Sequence, residues 1–144
     1  MSNDQARETM RAYAEALLAR ADYGRYFARD IELEVMGTGQ QARGAEAAEQ
    51  TIRFLHEVAF DAQPEIAKVM VDESGAALEA MFVGRHVGEF AGVAATDNAV
   101  RVPYSVFYDI SDGAITALRI YMPMDQLLAQ IRTPEHAEAA TPSA

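Results

Sequence analysis

The period of the apolar positions changes part-way along this chain, and the change predicts helices first and strands later. Met10, Tyr13, Ala14, Leu17, Leu18 and Ala21 fall on one stripe at helical spacing, so the first segment reads as an amphipathic helix. Tyr23, Tyr26 and Phe27 suggest a second, short helix that closes over the core before Asp30. Over 31–35 the pattern becomes strict alternation, with Ile31, Leu33 and Val35 on one face and Glu32 and Glu34 on the other, the signature of a half-buried strand. Gly37-Thr38-Gly39 and Arg43-Gly44 mark a loop. A helix is expected over 45–58 with Ala48, Ile52 and Leu55 inward, followed by strands over 65–71, 76–87, 100–110 and 115–122. Beyond Ile131 the chain is small and polar, and residues 132–144 are expected to be a disordered tail.

Helices followed by a run of strands argue for an α+β domain, a curved antiparallel sheet wrapped around N-terminal helices. At 144 residues there is material for one domain with a continuous core and room for a pocket. The formal charge of -10 repels phosphate backbones and anionic membrane surfaces, so neither nucleic acid nor membrane is an expected partner. There is no cysteine, which removes thiolate chemistry and fits a reducing compartment. The first residues lack the basic and apolar blocks of a signal peptide, and the expectation is a cytoplasmic protein. His56, His86 and His136 have no second ligand at metal-binding spacing, and Gly37-Thr38-Gly39 lacks the lysine of a phosphate loop. No metal and no cofactor are therefore expected.

Three evenly spaced glycines punctuate the end of one strand in Gly84-Arg85-His86-Val87-Gly88-Glu89-Phe90-Ala91-Gly92. Ala95-Thr96, the run from Val100 to Ile110, the hairpin pair Asp112-Gly113, the run from Ile115 to Met122, and then Asp125 and Gln130 follow in order. In that sequence of features the chain resembles the SnoaL-like polyketide cyclases. These are a branch of the nuclear-transport-factor-two-like superfamily that also holds ketosteroid isomerases and limonene epoxide hydrolases. The resemblance covers residues 1–131 and implies a single cone-shaped domain whose concave sheet face and helices enclose an apolar cavity, with the convex face available to a partner subunit.

The resemblance also places the family's reacting groups. The cyclases' aspartate on the last strand corresponds to Ile120 and their assisting histidine to Val106, while the isomerases' base on the first strand corresponds to Val35. The epoxide hydrolases' Asp-Arg-Asp set is not reproduced either, because Ile120 stands near its second acid. None of the three residues can move a proton, but together they should mark the inward face of three strands. Alternation then adds Tyr104, Tyr108, Thr116, Leu118 and Met122 to the lining. With Tyr13 from the first helix, the expected ligand-binding set is Tyr13, Val35, Val106, Tyr108, Ile120 and Met122, an aliphatic surface with phenol groups suited to an apolar small molecule.

Candidates for catalysis are Tyr104 or Tyr108 as a hydrogen-bond donor to a carbonyl, with His86 or Asp125 as the base. Each also has a packing role open to it. Tyr13, Tyr104 and Tyr108 fit a core, His86 fits a pin for the Gly84 to Gly92 turn, and Asp125 fits the cap of a short terminal helix. His56 is expected on a helix surface. Two function classes remain: a cofactor-independent isomerase, cyclase or hydrolase of an apolar metabolite, and a non-catalytic ligand-binding or dimerisation module on the same fold. Met81, Val83, Phe107, Ile115 and Tyr121 fall on the strand face opposite the lining, which predicts a homodimer through the convex face.

Overall fold

The computed structural model describes residues 2–133, with the side chains of residues 2 and 3 and the expected tail from 134 onward outside that description. The first helix, α1 (Ser2–Leu18), buries Ala6, Met10, Tyr13 and Leu17, a narrower stripe than the sequence suggests. Leu18 remains 41% exposed and Ala21 lies beyond the helix end. A single 3-10 turn, Tyr23–Tyr26, leads directly into β1 (Phe27–Val35), so the first strand starts four residues before the alternation becomes visible. Gly37 and Gly39, both at positive φ, then reverse the chain into a short partner strand, β2 (Gln40–Arg43). That strand was expected to be loop. Its side chains are mostly exposed, and it therefore carries no apolar alternation to read.

Helix α2 (Ala45–Arg53) buries Ala48 and Ile52 against β1 and continues as a π-helical turn, Phe54–Val58. The four remaining strands form a meander: β3 (Phe60–Asp72), β4 (Gly75–His86), β5 (Ala99–Ser111) and β6 (Ala114–Tyr121). β3 begins five residues earlier than the expected strand and runs through Pro64, which the ladder tolerates because β3 is an edge. The sheet order is β2-β1-β6-β5-β4-β3. Most pairs are antiparallel, but β1 runs parallel to β6, so the sheet is mixed rather than purely antiparallel. Alternation reports which face a residue occupies and is silent on strand direction, which is why the parallel pair was missed. Helix α3 (Met124–Arg132) follows and packs on β5; its N-cap is Pro123, and Asp125 sits inside the first turn instead of capping it.

Register irregularities at Phe27/Glu32, Ile66/Lys68 and Asp109/Ile110 bend this open sheet around the helices. The last of them corrects the expected outer patch. Because one residue is gained between β5 and β6, Ile115 pairs with Ile110, turns inward and is fully buried. Thr116 is correspondingly only half-buried, and its hydroxyl bonds the Asp109 carbonyl.

The glycine signature also has a steric explanation. A Cβ on Gly84 would sit 2.2 Å from the Asp61 carbonyl oxygen and 2.5 Å from Ala62 Cα, and one on Gly88 would sit 2.2 Å from the Val58 carbonyl oxygen. Gly92, at φ 80°, completes with Ala91 a tight turn closed by paired bonds between Phe90 and Val93. Gly84→Ala should therefore cost about 1–3 kcal/mol of stability through a backbone clash in the β3–β4 ladder, read as a lower urea midpoint. A Gly84→Ala protein as stable as the parent would show that the ladder opens freely there.

Candidate functional site

The strand register brings the three inward positions together. Val35 on β1 pairs with Ile120 on β6, Ile120 pairs with Val106 on β5, and Val106 pairs with Leu78 on β4. All four side chains are buried, which puts them in one row on the inner face of the sheet. Directly opposed residues on neighbouring strands have Cβ atoms about 5 Å apart, so groups at 106 and 120 are close enough to act on one atom. Here the row is aliphatic and transfers no proton.

The polar content of this face comes from phenols. Tyr108 lies beside Leu118 in the next row, and Tyr13 reaches down from α1 to place its ring 5.6 Å from that of Tyr108, at 65°. The two hydroxyls act on each other's ionisation. Tyr104, two residues before Val106 on the same face, sits next to Phe82, with 6.1 Å between ring centres. Its hydroxyl has no hydrogen-bond partner among the described residues and lies within electrostatic reach of both other phenols. Burial pushes the ionisation of Tyr13, Tyr104 and Tyr108 well above the usual phenol range, which keeps all three neutral donors. Met122 and Tyr104, each 9% exposed, are the least sealed members of the set.

A family model of the SnoaL-like polyketide cyclases matches residues 7–131. The chain belongs to this family. Solved structures of similar shape include a candidate SnoaL-like polyketide cyclase from Jannaschia sp. CCS1, with a TM-score of 0.80 at 20% identity over 92% of this chain and 94% of that one. A candidate ketosteroid isomerase from Kribbella flavida DSM 17836 has a TM-score of 0.64 at 22% identity, over 84% and 79% of the two chains. An LEH-like epoxide hydrolase from M. tuberculosis has a TM-score of 0.72 at 15% identity, over 97% and 98%. At these identities the likeness establishes the fold. No curated protein matches the sequence.

Within this SnoaL-like fold the other two catalytic candidates stand apart from Tyr104. His86 is fully buried at the end of β4, six residues beyond Ala80, the partner of Tyr104, which is roughly 20 Å along a strand. Its Nδ1 accepts from the Thr96 backbone N–H at 3.2 Å and lies 3.0 Å from Thr96 Oγ1, which itself accepts from the Asn98 N–H. The ring thus ties the loop after the glycine signature back to the strand. Asp125 is exposed on the first turn of α3. Among the described residues the buried polar side chains other than the tyrosines are Thr9, His56, His86 and Asn98, and none is a carboxylate.

His56 is the residue that sequence reasoning misplaced. It was expected on a helix surface, but it lies on the π-helical turn at four and eight residues from inward Ile52 and Ala48, where it is 9% exposed and edge-on to Phe82 at 5.4 Å. Its Nδ1 lies 2.8 Å from the Ile52 carbonyl, which fixes the proton there and leaves Nε2 bare. Its four-residue spacing from Ile52 and eight-residue spacing from Ala48 was the signal in the chain that could have found it.

Three open clefts of 380, 460 and 470 Å³ lie on the outer face, bordered by residues such as Glu32 and Arg43, Met81 and Pro103, and Ala77 and Phe107. No helix among the described residues is long and apolar enough to cross a membrane, and no cluster of His, Asp or Glu there has metal-binding form.

Burial lowers the His56 pKa below its ordinary 6.5. The unfolded chain therefore takes up the proton first, so this contribution to stability is complete above about pH 6.5 and is lost as pH falls below it, at up to about 1.4 kcal/mol per unit until the folded pKa is reached. Urea unfolding of the parent should show that decline between pH 7.5 and 5.5, and His56→Gln should flatten it. An equal slope in both proteins would place the titrating group elsewhere.

Proposed function

We propose that this SnoaL-like protein binds a small apolar molecule carrying a carbonyl or hydroxyl oxygen between α1 and the inner face of the sheet. One observation carries the reading: the Tyr104 hydroxyl is neutral, has no hydrogen-bond partner among the described residues, and belongs to one of the two least sealed side chains of the inner face. A ligand oxygen placed there gains a hydrogen bond worth about 0.5–1.5 kcal/mol. Val35, Val106, Ile120 and Met122 supply an apolar surround that favours an uncharged ligand over an ionic one. A cytoplasmic setting fits the cysteine-free sequence.

The chemistry such a site supports is cofactor-independent and of the isomerase, cyclase or hydrolase type. A neutral phenol polarises a ketone and stabilises negative charge that develops on its oxygen. A second reading, a pocket that binds without catalysing, is favoured by the absence of a buried carboxylate among the described residues. The two separate experimentally. A panel of apolar ketones, the matching alcohols and the matching hydrocarbons is titrated against the protein and against Tyr104→Phe. The ketones and alcohols should lose roughly 3- to 10-fold in affinity, the scale of one hydrogen bond, while the hydrocarbons are unaffected. If no panel member binds, or if the variant weakens all three classes alike, the Tyr104 reading fails. For the ketones that bind, exchange of α-protons in heavy water that disappears in the variant supports catalysis, and binding without exchange supports the second reading.

We further propose that two copies pair through the outer sheet face. Phe107 and Tyr121 are 44% and 42% exposed there and stack edge-on at 5.6 Å, with Met81 and Val83 half-buried beside them. Arg119 pairs with Asp109 at 3.0 Å and Arg101 with Glu65 at 3.0 Å, so charges on this face are matched although the whole chain carries -10. Light scattering at micromolar protein should give a dimer that tightens with added salt, and Phe107→Glu should give monomer. A parent that stays monomeric at every salt concentration would remove the proposal.

A further inference from the structure

One edge of the sheet is left open. β3 is the outermost strand beyond β4, and its second half stands clear of the core, with Ala67, Lys68, Val69, Met70 and Asp72 exposed. Val69 and Met70 are 40% and 60% exposed. The ladder also settles which backbone groups face outward. Ile110 donates its N–H to the Ser74 carbonyl, a bond that flanks the Gly75–Asp109 pair, so Gly75 turns its own N–H and C=O away from β5 and toward β3. Gly75 is paired with Asp72, Ala77 with Met70 and Glu79 with Lys68. By alternation Lys68, Met70 and Asp72 direct their backbone groups at β4, while Val69 and Val71 present theirs to the open side.

Strand edges are commonly blunted against further pairing, and the first half of β3 carries two such devices, Pro64 and the irregularity between Ile66 and Lys68. Val69-Met70-Val71 carries none. A second copy of the strand fits here in antiparallel register only where residues of the same face oppose each other, because a continued sheet keeps its two faces. Val69 and Val71 lie opposite buried Leu78 and Ala76 on the inner face, and Lys68, Met70 and Asp72 share the outer one. A register centred on Val69 sets Lys68 against Met70, and one centred on Val71 sets Met70 against Asp72. Centring on Met70 instead sets Lys68 against Asp72 on both sides of the axis, with Val69 against Val71. Lys68 is the only lysine in the chain. Asp72 is held in place by the β3–β4 turn, where its Oδ1 accepts from the N–H groups of Ser74 at 2.8 Å and Gly75 at 3.0 Å.

We propose that two copies of this chain join edge to edge, each adding residues 68–72 to the other's β3 in antiparallel register about Met70. Val69 and Val71 then exchange backbone bonds across the two-fold axis, and two Lys68–Asp72 ion pairs select the register. Pro64 and the irregularity fall outside the paired segment. The pairing uses both open edges, so it closes at two copies. So short a segment buries less surface than a stable interface needs, and the association is weak. It uses the edge of the sheet rather than its outer face and does not rest on the ligand reading.

The cysteine-free chain allows single thiols to report on the register. The variants are made with Phe107→Glu, which removes the outer-face pairing, and oxidised at high protein concentration. Met70→Cys should give a disulfide-linked dimer, because Cα atoms in a non-hydrogen-bonded antiparallel pair lie about 4.5 Å apart, within disulfide reach. Lys68→Cys, also exposed on this edge, is set roughly 13 Å from its counterpart and should stay reduced. In an equal mixture of nitrogen-14 and nitrogen-15 forms of the unmodified protein, a zero-length carbodiimide should join Lys68 to the partner's Asp72, seen as a mixed-isotope peptide. The proposal is overturned if neither thiol links, if both link at equal rates, or if Lys68 is joined only to acids of its own chain. Should a cysteine variant fail to fold, the carbodiimide experiment on the unmodified protein still decides.

Discussion

The parallel pairing of β1 with β6 is the contact on which the rest of this structure depends. β3 to β6 form a meander of neighbours in sequence, whereas β1 and β6 are separated by most of the chain. Their ladder sets Leu33 beside Leu118 and Val35 beside Ile120, which joins the N-terminal hairpin to the meander and extends the inner face to a fifth strand. Closing so long a segment costs entropy that only burial recovers, and the inward-facing residues of the seam, Leu33, Val35, Leu118 and Ile120, are accordingly almost fully buried. The helices have a concave surface to cover because this seam exists.

On that surface the chain has exchanged charge for volume. A carboxylate and an imidazole facing each other across β5 and β6 would need mutual pairing or solvent to be tolerated at such depth. Val106 and Ile120 need neither, and their packing contributes to the core directly. The remaining polarity is carried by three phenols, groups that stay neutral in a dry interior and still donate a hydrogen bond.

The glycine signature, the most family-specific part of the chain, turns out to be architectural. Gly84 and Gly88 let backbones approach where a Cβ cannot fit, Gly92 permits the turn, and His86 fastens the following loop through Thr96. The residues of the inner sheet face that were expected to line a site lie elsewhere, on β1, β5, β6 and α1. A family can thus be recognised by the parts that build its scaffold while the parts that do its chemistry vary.

Much of this was legible in the sequence, because period is a local property. The family resemblance placed Val35, Val106 and Ile120 inward, alternation added Tyr104 and Tyr108 to the same face, and helical spacing located Met10, Tyr13 and Leu17, since burial on one side imposes a pattern on the residues themselves. What local pattern does not contain is an extra residue in a ladder, or the direction of a distant partner. The β5–β6 irregularity turned Ile115 inward, and the parallel seam of β1 and β6 made the sheet mixed. Each of these is decided by how separate segments must meet to close one core, and so only the tertiary structure could settle them.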